Sequence, residues 1–304
     1  MQRQRGSVLV VVTLFSMVLM GVSALAVDVG RTVVTRTRLQ RVVDAAALAG
    51  GKDLPSGTAP ARSASLDFAN RNGVAIAAGD VTFPTPNSVR VAVVRPVDTV
   101  FARVMGIMSY PIPASATAAL QSATGMSGLR PWGIPAQDFA GYPEGTTFKL
   151  KLTSKSGEYS GGGNFQALSL DGSGGSIYRQ TIISGSQSRF QIGDSVPTET
   201  GNMVGPTSQG AETLIGGDTH TSYAAAVAAG EPDCPRVVTL IVIKQDSFGK
   251  GKSSVTVAGF ASFFITSWND PAEVVGQFVR YVDMDGTSDG TTSAVGTQAI
   301  ALID

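Results

Sequence analysis

The longest apolar stretch of the chain is Val8–Val27 (VLVVVTLFSMVLMGVSALAV), 20 positions with no charge and with Thr13, Ser16 and Ser23 as the polar interruptions. A helix of that length spans about 30 Å, the hydrocarbon thickness of a bilayer. A helix buried in a soluble core shows a polar face, and this stretch has none. The pattern therefore predicts a membrane anchor in which Val8, Leu9, Leu14, Phe15, Leu19, Leu25 and Val27 meet lipid. A second reading stays open. Met1–Gly6 is a short basic region, Val8–Val22 an apolar core, and Ala24-Leu25-Ala26 a small-residue cleavage signal, which would release a secreted chain after Ala26. Arg3 and Arg5 precede the span, whereas Arg31, Arg36, Arg38 and Arg41 follow it. Counted alone, these charges favour a cytoplasmic main body. Long domains cross regardless of flanking charge, so the expected topology is single-pass in the cytoplasmic membrane, amino end inside and main domains outside.

Past Asp28 the pattern changes but the helix need not stop. Thr32, Thr35, Leu39, Val42, Ala46 and Ala49 recur at alternating spacings of three and four, one face of a helix. Gly50-Gly51 and Pro55 offer a stop. From Val8 to Ala49 one helix would be about 60 Å long. Its outer half either packs on its own domain or stands as a stalk against other subunits.

Periodicity then predicts a helix over Ala61–Asn72, with Ala64, Phe68 and Arg71 on one face, strands over Val81–Phe83 and Val89–Val94, a second helix over Pro96–Ile107, and a strand over Ile112–Leu120. The small-residue stretch Ser122–Gly128 reads as a boundary. Beyond it, strands are expected at Thr147–Thr153, Gln166–Leu170, Phe190–Ile192, Val237–Ile243, Ser254–Phe264 (Gly259 as a bulge), Val274–Val282 and Ala299–Ile303, with short helices at Ala211–Ile215 and Ser222–Ala229. The expected class is α+β. A tail (1–7), a transmembrane helix (8–27) and a stalk helix (28–50) lead into a small α+β domain (51–125). A mostly antiparallel β sandwich or barrel (126–304) follows.

Composition narrows the function. With 23 basic and 23 acidic residues among 304, the chain has no net charge, which argues against a nucleic-acid partner. Low charge and 36 glycines fit an extracytoplasmic, loop-rich β protein. One Cys (Cys234) excludes an internal disulfide, and one His (His220) excludes a multi-His metal site.

The candidate chemistry is sparse. Asp283, Asp285 and Asp289 in DMDGTSDG bring carboxylates together as calcium sites do, but Gly286 falls at the fourth position and Ser293–Ala294 at the twelfth, not the Gly and Glu of an EF-hand. A polar turn is the plainer reading, and Asp171 and Asp218 in other Gly-rich turns are read the same way. His220 with Asp218 and Ser222 invites a hydrolase, but no Gly-x-Ser-x-Gly elbow surrounds a serine. Gly161–Gly163 and Gly249–Ser253 lack the phosphate-loop spacing. Cys234 has no neighbouring His or Cys in sequence and reads as an inert thiol. Trp132, Trp268, Tyr142 and Tyr159 would serve either a glycan-binding face or core packing.

One resemblance is carried by Arg5-Gly6 before the span, Ala26-Val27-Asp28-Val29-Gly30-Arg31 after it, Leu39-Gln40, and Asp44-Ala45-Ala46-Ala47-Leu48-Ala49-Gly50. This segment resembles the amino-terminal part of TadG-like (TadE/TadG-like) proteins of the Tad, or Flp, pilus system. Weaker likenesses lie at Gly163–Phe165 and Gly201–Thr207. The resemblance implies a single-pass, non-enzymatic protein of the cytoplasmic membrane. Its partners would be the lipid bilayer and pilus machinery or pilin subunits, with no small-molecule substrate and no cofactor. The residues that carry this reading are Gly6, Asp28, Gly30, Arg31, Leu39, Gln40, Asp44, Ala46 and Gly50. The fifth residue after Gly6 is Val11 and not Glu, which sets the chain apart from cleaved type IV pilins.

Overall fold

The computed structural model describes residues 5–136, 143–152, 166–244, 252–268, 273–280, 282–283, 286–288 and 297–303. It is an α+β protein whose sheets are mostly antiparallel. It divides into two compact units, one of Met1–Ala119 with Leu302–Asp304, the other of Leu120–Ala301.

The first unit is organised by α1, a single helix of 49 residues from Arg5 to Asp53. At 1.5 Å per residue it is about 73 Å long. Gly50 and Gly51 do not end it; the helix runs on through Lys52 and Asp53, into a 3-10 turn at Leu54–Ser56. The hydroxyls along the rod turn inward on the backbone. Thr13 donates to Leu9 O (2.8 Å), Ser23 to Leu19 O (2.9 Å), Thr32 to Asp28 O (3.0 Å) and Thr37 to Val33 O (3.0 Å). The Thr13 and Ser23 hydroxyls of the apolar span are thereby satisfied without water.

Helix α2 (Thr58–Arg71) packs on the outer half of α1. Its buried face is Ala61, Ser65 and Ala69, while Phe68 is exposed. The expected face of Ala64, Phe68 and Arg71 is thus displaced by about one residue's rotation. The reason is close approach. A Cβ on Gly50 would collide with the Ser65 hydroxyl and lie 3.0 Å from the Ala61 carbonyl, so small residues are needed on both helices. A meander of β1 (Val81–Thr85), β2 (Ser88–Asp98) and β3 (Ser109–Ser122) completes the unit. The helix expected over Pro96–Ile107 does not form. Pro96, Val97 and Asp98 continue β2 opposite Pro111, Tyr110 and Ser109, and only a 3-10 turn at Ala102–Met105 follows. Apolar residues at Val97, Val100, Phe101, Val104 and Met105 imitate a helical face, but pairing with β3 takes the first of them. Ile303 comes back beside β3, its N–H donating to Thr117 O at 3.0 Å.

The second unit contains β4 (Gly125–Met126), β5 (Gly133–Pro135), β6 (Thr147–Lys151), α3 (Gly175–Ser184), β7 (Phe190–Gln191) and β8 (Ser195–Pro197). Then come α4 (Val204–Ile215), α5 (Tyr223–Ala228), β9 (Val237–Ile243), β10 (Ser254–Ser267), β11 (Val274–Val279), β12 (Val282–Asp283) and β13 (Gln298–Leu302). Its main sheet is open, in the order β5-β9-β10-β11-β6, with β8 on β10. Strand β9, between β5 and β10, is buried on both faces. Val238, Leu240 and Val242 meet Trp132, Tyr178, Ile182 and Ile215, whereas Ile241 and Ile243 meet Leu129, Leu168 and Val257. This is why VVTLIVI is continuously apolar. In β10 the register slips between Val257 and Gly259. That bulge reverses the alternation: Val255 and Val257 share one core with Phe260, while Ala261, Phe263 and Ile265 fill the other. Gln166–Leu170 makes only isolated bridges, at Ala167 and Leu168, and α3 arises where no helix was expected.

The Gly50 contact sets two opposed predictions. Gly50→Ala gains about 1 kcal/mol of helix propensity and loses about 1–3 kcal/mol to overpacking, for a net loss that grows in Gly50→Leu. Gly30 has nothing within 4 Å of its would-be Cβ, so Gly30→Ala is expected to raise stability by up to about 1 kcal/mol. Thermal unfolding of the full chain in detergent checks both.

Candidate functional site on the anchor helix and the hairpin loop beside it

The first half of α1 exposes apolar side chains on all sides. Val8, Leu9, Leu14, Phe15, Leu19, Leu25 and Val27 are each exposed, as are their neighbours. By length and composition this helix can cross a membrane. Gly6 lies in its first turn. Burial begins at Asp28, which is 4% exposed although it carries a charge.

Asp28 is buried because the β2–β3 loop closes over it. The backbone N–H groups of Val100 (2.8 Å), Phe101 (3.0 Å) and Ala102 (2.7 Å) all donate to its carboxylate. These bonds, led by the one from Val100, hold the carboxyl below the usual carboxylate range, and Arg31 acts in the same sense against a burial effect. The loop is pinned at its base by Thr99, whose N–H donates to Met108 O at 3.0 Å and whose hydroxyl donates to Ile107 O.

The remaining motif residues fall on the outer half of α1. Leu39, Val42, Ala46 and Gly50 are buried, so this seam packs on α2 and β2 of its own unit. Gln40 bridges Asp44 Oδ1 (2.7 Å) and Ser115 O (2.8 Å), tying the helix to β3. Arg31, Arg36, Arg38 and Arg41 are exposed, and so are Val33 and Val34. Two grooves flank Arg38. One, of about 420 Å³, runs along Thr35, Leu39, Val74 and Arg95; the other, of about 600 Å³, along Val33, Val34, Arg41 and Val42.

Among the described residues of the second unit, Cys234 joins the Asp218–His220 pair that the sequence had singled out. Asp218, His220 and Cys234 place ligand-type atoms within 4.8 Å of one another. Cys234, read as having no histidine near it, therefore has one. The Asp218 oxygens are already engaged. His220 Nδ1 is 3.1 Å from Oδ2, and His220 N–H (3.0 Å) and Arg236 Nε (2.8 Å) donate to Oδ1. Arg236 also donates to Asp218 O (2.8 Å) and Ile265 O (3.1 Å), and lies over the rings of Trp268 and Phe264. Burial raises the Cys234 thiol pKa, which favours the neutral thiol over the thiolate. Ser222 accepts from Ala225 N–H at 3.2 Å and caps α5. The cluster thus fastens the turn after α4 to the starts of β9 and the end of β10.

Other candidates resolve in the same way. Asp171 accepts from Thr181 (3.1 Å), Ser186 (2.6 Å) and Ser188 (3.2 Å), a structural hub. Trp132 is fully buried, its indole donating to Tyr178 OH at 2.8 Å, which removes it from any glycan-binding face. Asp285, Asp289, Tyr142, Tyr159, Gly161–Gly163 and 249–251 lie outside the described residues, as does the side chain of Asp283.

Burial, the largest effect on Asp218, raises its pKa, but the His220 and Arg236 hydrogen bonds outweigh it and bring the value below the ordinary one. A depressed carboxyl stabilises the fold above the unfolded pKa of about 3.9 and loses that contribution as pH falls through the lower folded value. Asp218→Asn should therefore be less stable at pH 7 and show a flatter acid limb than the parent, as read by thermal unfolding across pH 2–7.

Residues 6–53 match the model of the Flp pilus-assembly, TadE/G-like family. No curated protein and no solved structure matches the chain. The match covers α1 almost end to end, from beside Arg5 to Asp53. Its amino-terminal segment is thus similar to TadE/G-like Flp pilus-assembly proteins, and the Asp28 and Gln40 tie points belong to that segment.

Proposed function

We propose that this chain is a non-enzymatic, membrane-anchored component of a Tad/Flp-type pilus assembly or adhesion system, working through protein contacts outside the cytoplasmic membrane. The observation that carries the reading is the coincidence of the family match with one continuous helix, half of it apolar and uncovered on every side. The apolar half resides in the bilayer, with the amino end inside. The outer half, bearing Arg36, Arg38 and Arg41 beside Val33 and Val34, is the surface offered to pilin subunits or to other machinery. Gly30 supports this use. None of the described residues crowds position 30, so the absence of a side chain there suits close approach by a second helix.

The test is piliation. Cells lacking the protein should lose surface pili by electron microscopy and regain them with the parent gene. Gly30→Leu should insert and fold normally yet leave cells bare, while His220→Ala should restore pili in full. Unchanged pili in the deletion strain would end the assembly reading. A mature chain beginning at Val27 would show secretion by cleavage, and a reporter after Asp304 active only in the cytoplasm would reverse the topology.

A further inference from the structure

We propose that the β2–β3 loop, residues 99–108, is a second membrane contact: an apolar foot that Asp28 holds against the bilayer surface where α1 emerges. The proposal rests on the reading of Val8–Val27 as a membrane anchor.

Three tie points fix the direction of the hairpin along the helix. Val89 Cγ2 lies 3.4 Å from where a Cβ on Gly50 would sit. Gln40 donates to Ser115 O, and Ser115 faces Ala92 across the β2–β3 pair. Asp28 receives the N–H groups of Val100, Phe101 and Ala102. As the helix number falls from 50 through 40 to 28, the β2 number rises from 89 through 92 to 100. The strand therefore runs back down α1 toward its apolar half. The lengths agree: 22 helical residues rise about 33 Å and 11 strand residues about 36 Å. The loop is the end of the hairpin nearest the membrane, level with the first residue beyond the apolar run.

What the loop carries at that level is unusual for a water-facing turn. Val104 is 90% exposed and Met105 82%, with Phe101, Ile107 and Met108 exposed around them. Clustered apolar side chains of this kind mark an interaction site. Their neighbours name the partner. The loop adjoins the helix surface that is apolar all round, and exposed Arg31 and Arg103 stand at the same height, where lipid phosphates lie. A lipid surface continuous with the anchor's own environment covers both. Asp28 then has a mechanical role, since its carboxylate locks the foot at a fixed depth on the helix.

The experiment uses the full chain in lipid nanodiscs containing anionic lipid, with Cys234→Ala and one labelling cysteine at a time carrying an environment-sensitive dye. The sites are Val104→Cys on the foot, Leu14→Cys in the anchor, and Asn87→Cys at the opposite end of β2. Nitroxides are placed on the lipid near the headgroup. Expected are blue-shifted emission and loss of most of it to the nitroxide at positions 104 and 14, and neither at 87. Adding Asp28→Ala should restore wet, unquenched emission at 104 and leave 14 unchanged. If 104 behaves like 87 while 14 is quenched, the foot is refuted, the anchor stands, and the loop faces water or a protein partner. If 14 is as wet as 87, the anchor reading fails and the foot falls with it. Quenching at 104 that survives Asp28→Ala overturns the locking role.

Discussion

The backbone hydrogen bonds of α1 run from Arg5 to Asp53 without a break, and the whole first unit is placed by that rod. A helix satisfies its own amides and carbonyls in any solvent, so its backbone meets no new demand where the side chains around it change character. The side chains change character along it. From Val8 to Val27 none is charged and all but Thr13, Ser16 and Ser23 are apolar, on every side of the helix. From Asp28 onward one stripe is buried against α2 and β2, and the opposite face turns basic. Asp28 and Gln40 are the polar fasteners of this arrangement, and Gly50 is the point at which α2 comes closest.

Those fasteners give the motif residues distinct physical tasks. Asp28 receives three backbone donors from a loop more than seventy positions away in sequence. Gln40 spans helix and sheet through a single amide group. Gly50 makes room where a side chain would strike Ser65. Gly30 and Arg31, by contrast, are left outward. A segment that resembles one family can thus be divided into residues that build the fold and residues left free to meet something else.

Much of the fold was legible because its signals are local. The apolar run, the doubly buried strand VVTLIVI and the bulge at Gly259 each follow from periodicity and a single glycine. The failures have long-range causes. Val97 to Met105 has the spacing of a helical face, yet pairing with Tyr110 and Ser109 extends β2 through its start. Helix α3 opens in a glycine-rich stretch and is steadied by Glu199, whose carboxylate accepts Gly174 N–H at 2.7 Å from 25 positions away. Cys234 joins Asp218 and His220, themselves neighbours in sequence, only because the chain entering β9 returns beside the turn after α4. Sequence spacing carries no trace of any of these.

One further consequence follows from the path of the chain. It leaves the smaller unit after Ala119 and re-enters it at Leu302, so the larger unit is an insertion within the smaller one. The entropic penalty for closing a loop grows only with the logarithm of its length, about 0.6 kcal/mol for each doubling. By that measure the separation of Ala119 from Leu302 adds little more closure entropy to the host helix and meander than a far shorter insert would. In energetic terms, the rod and the insert are separable parts of one chain.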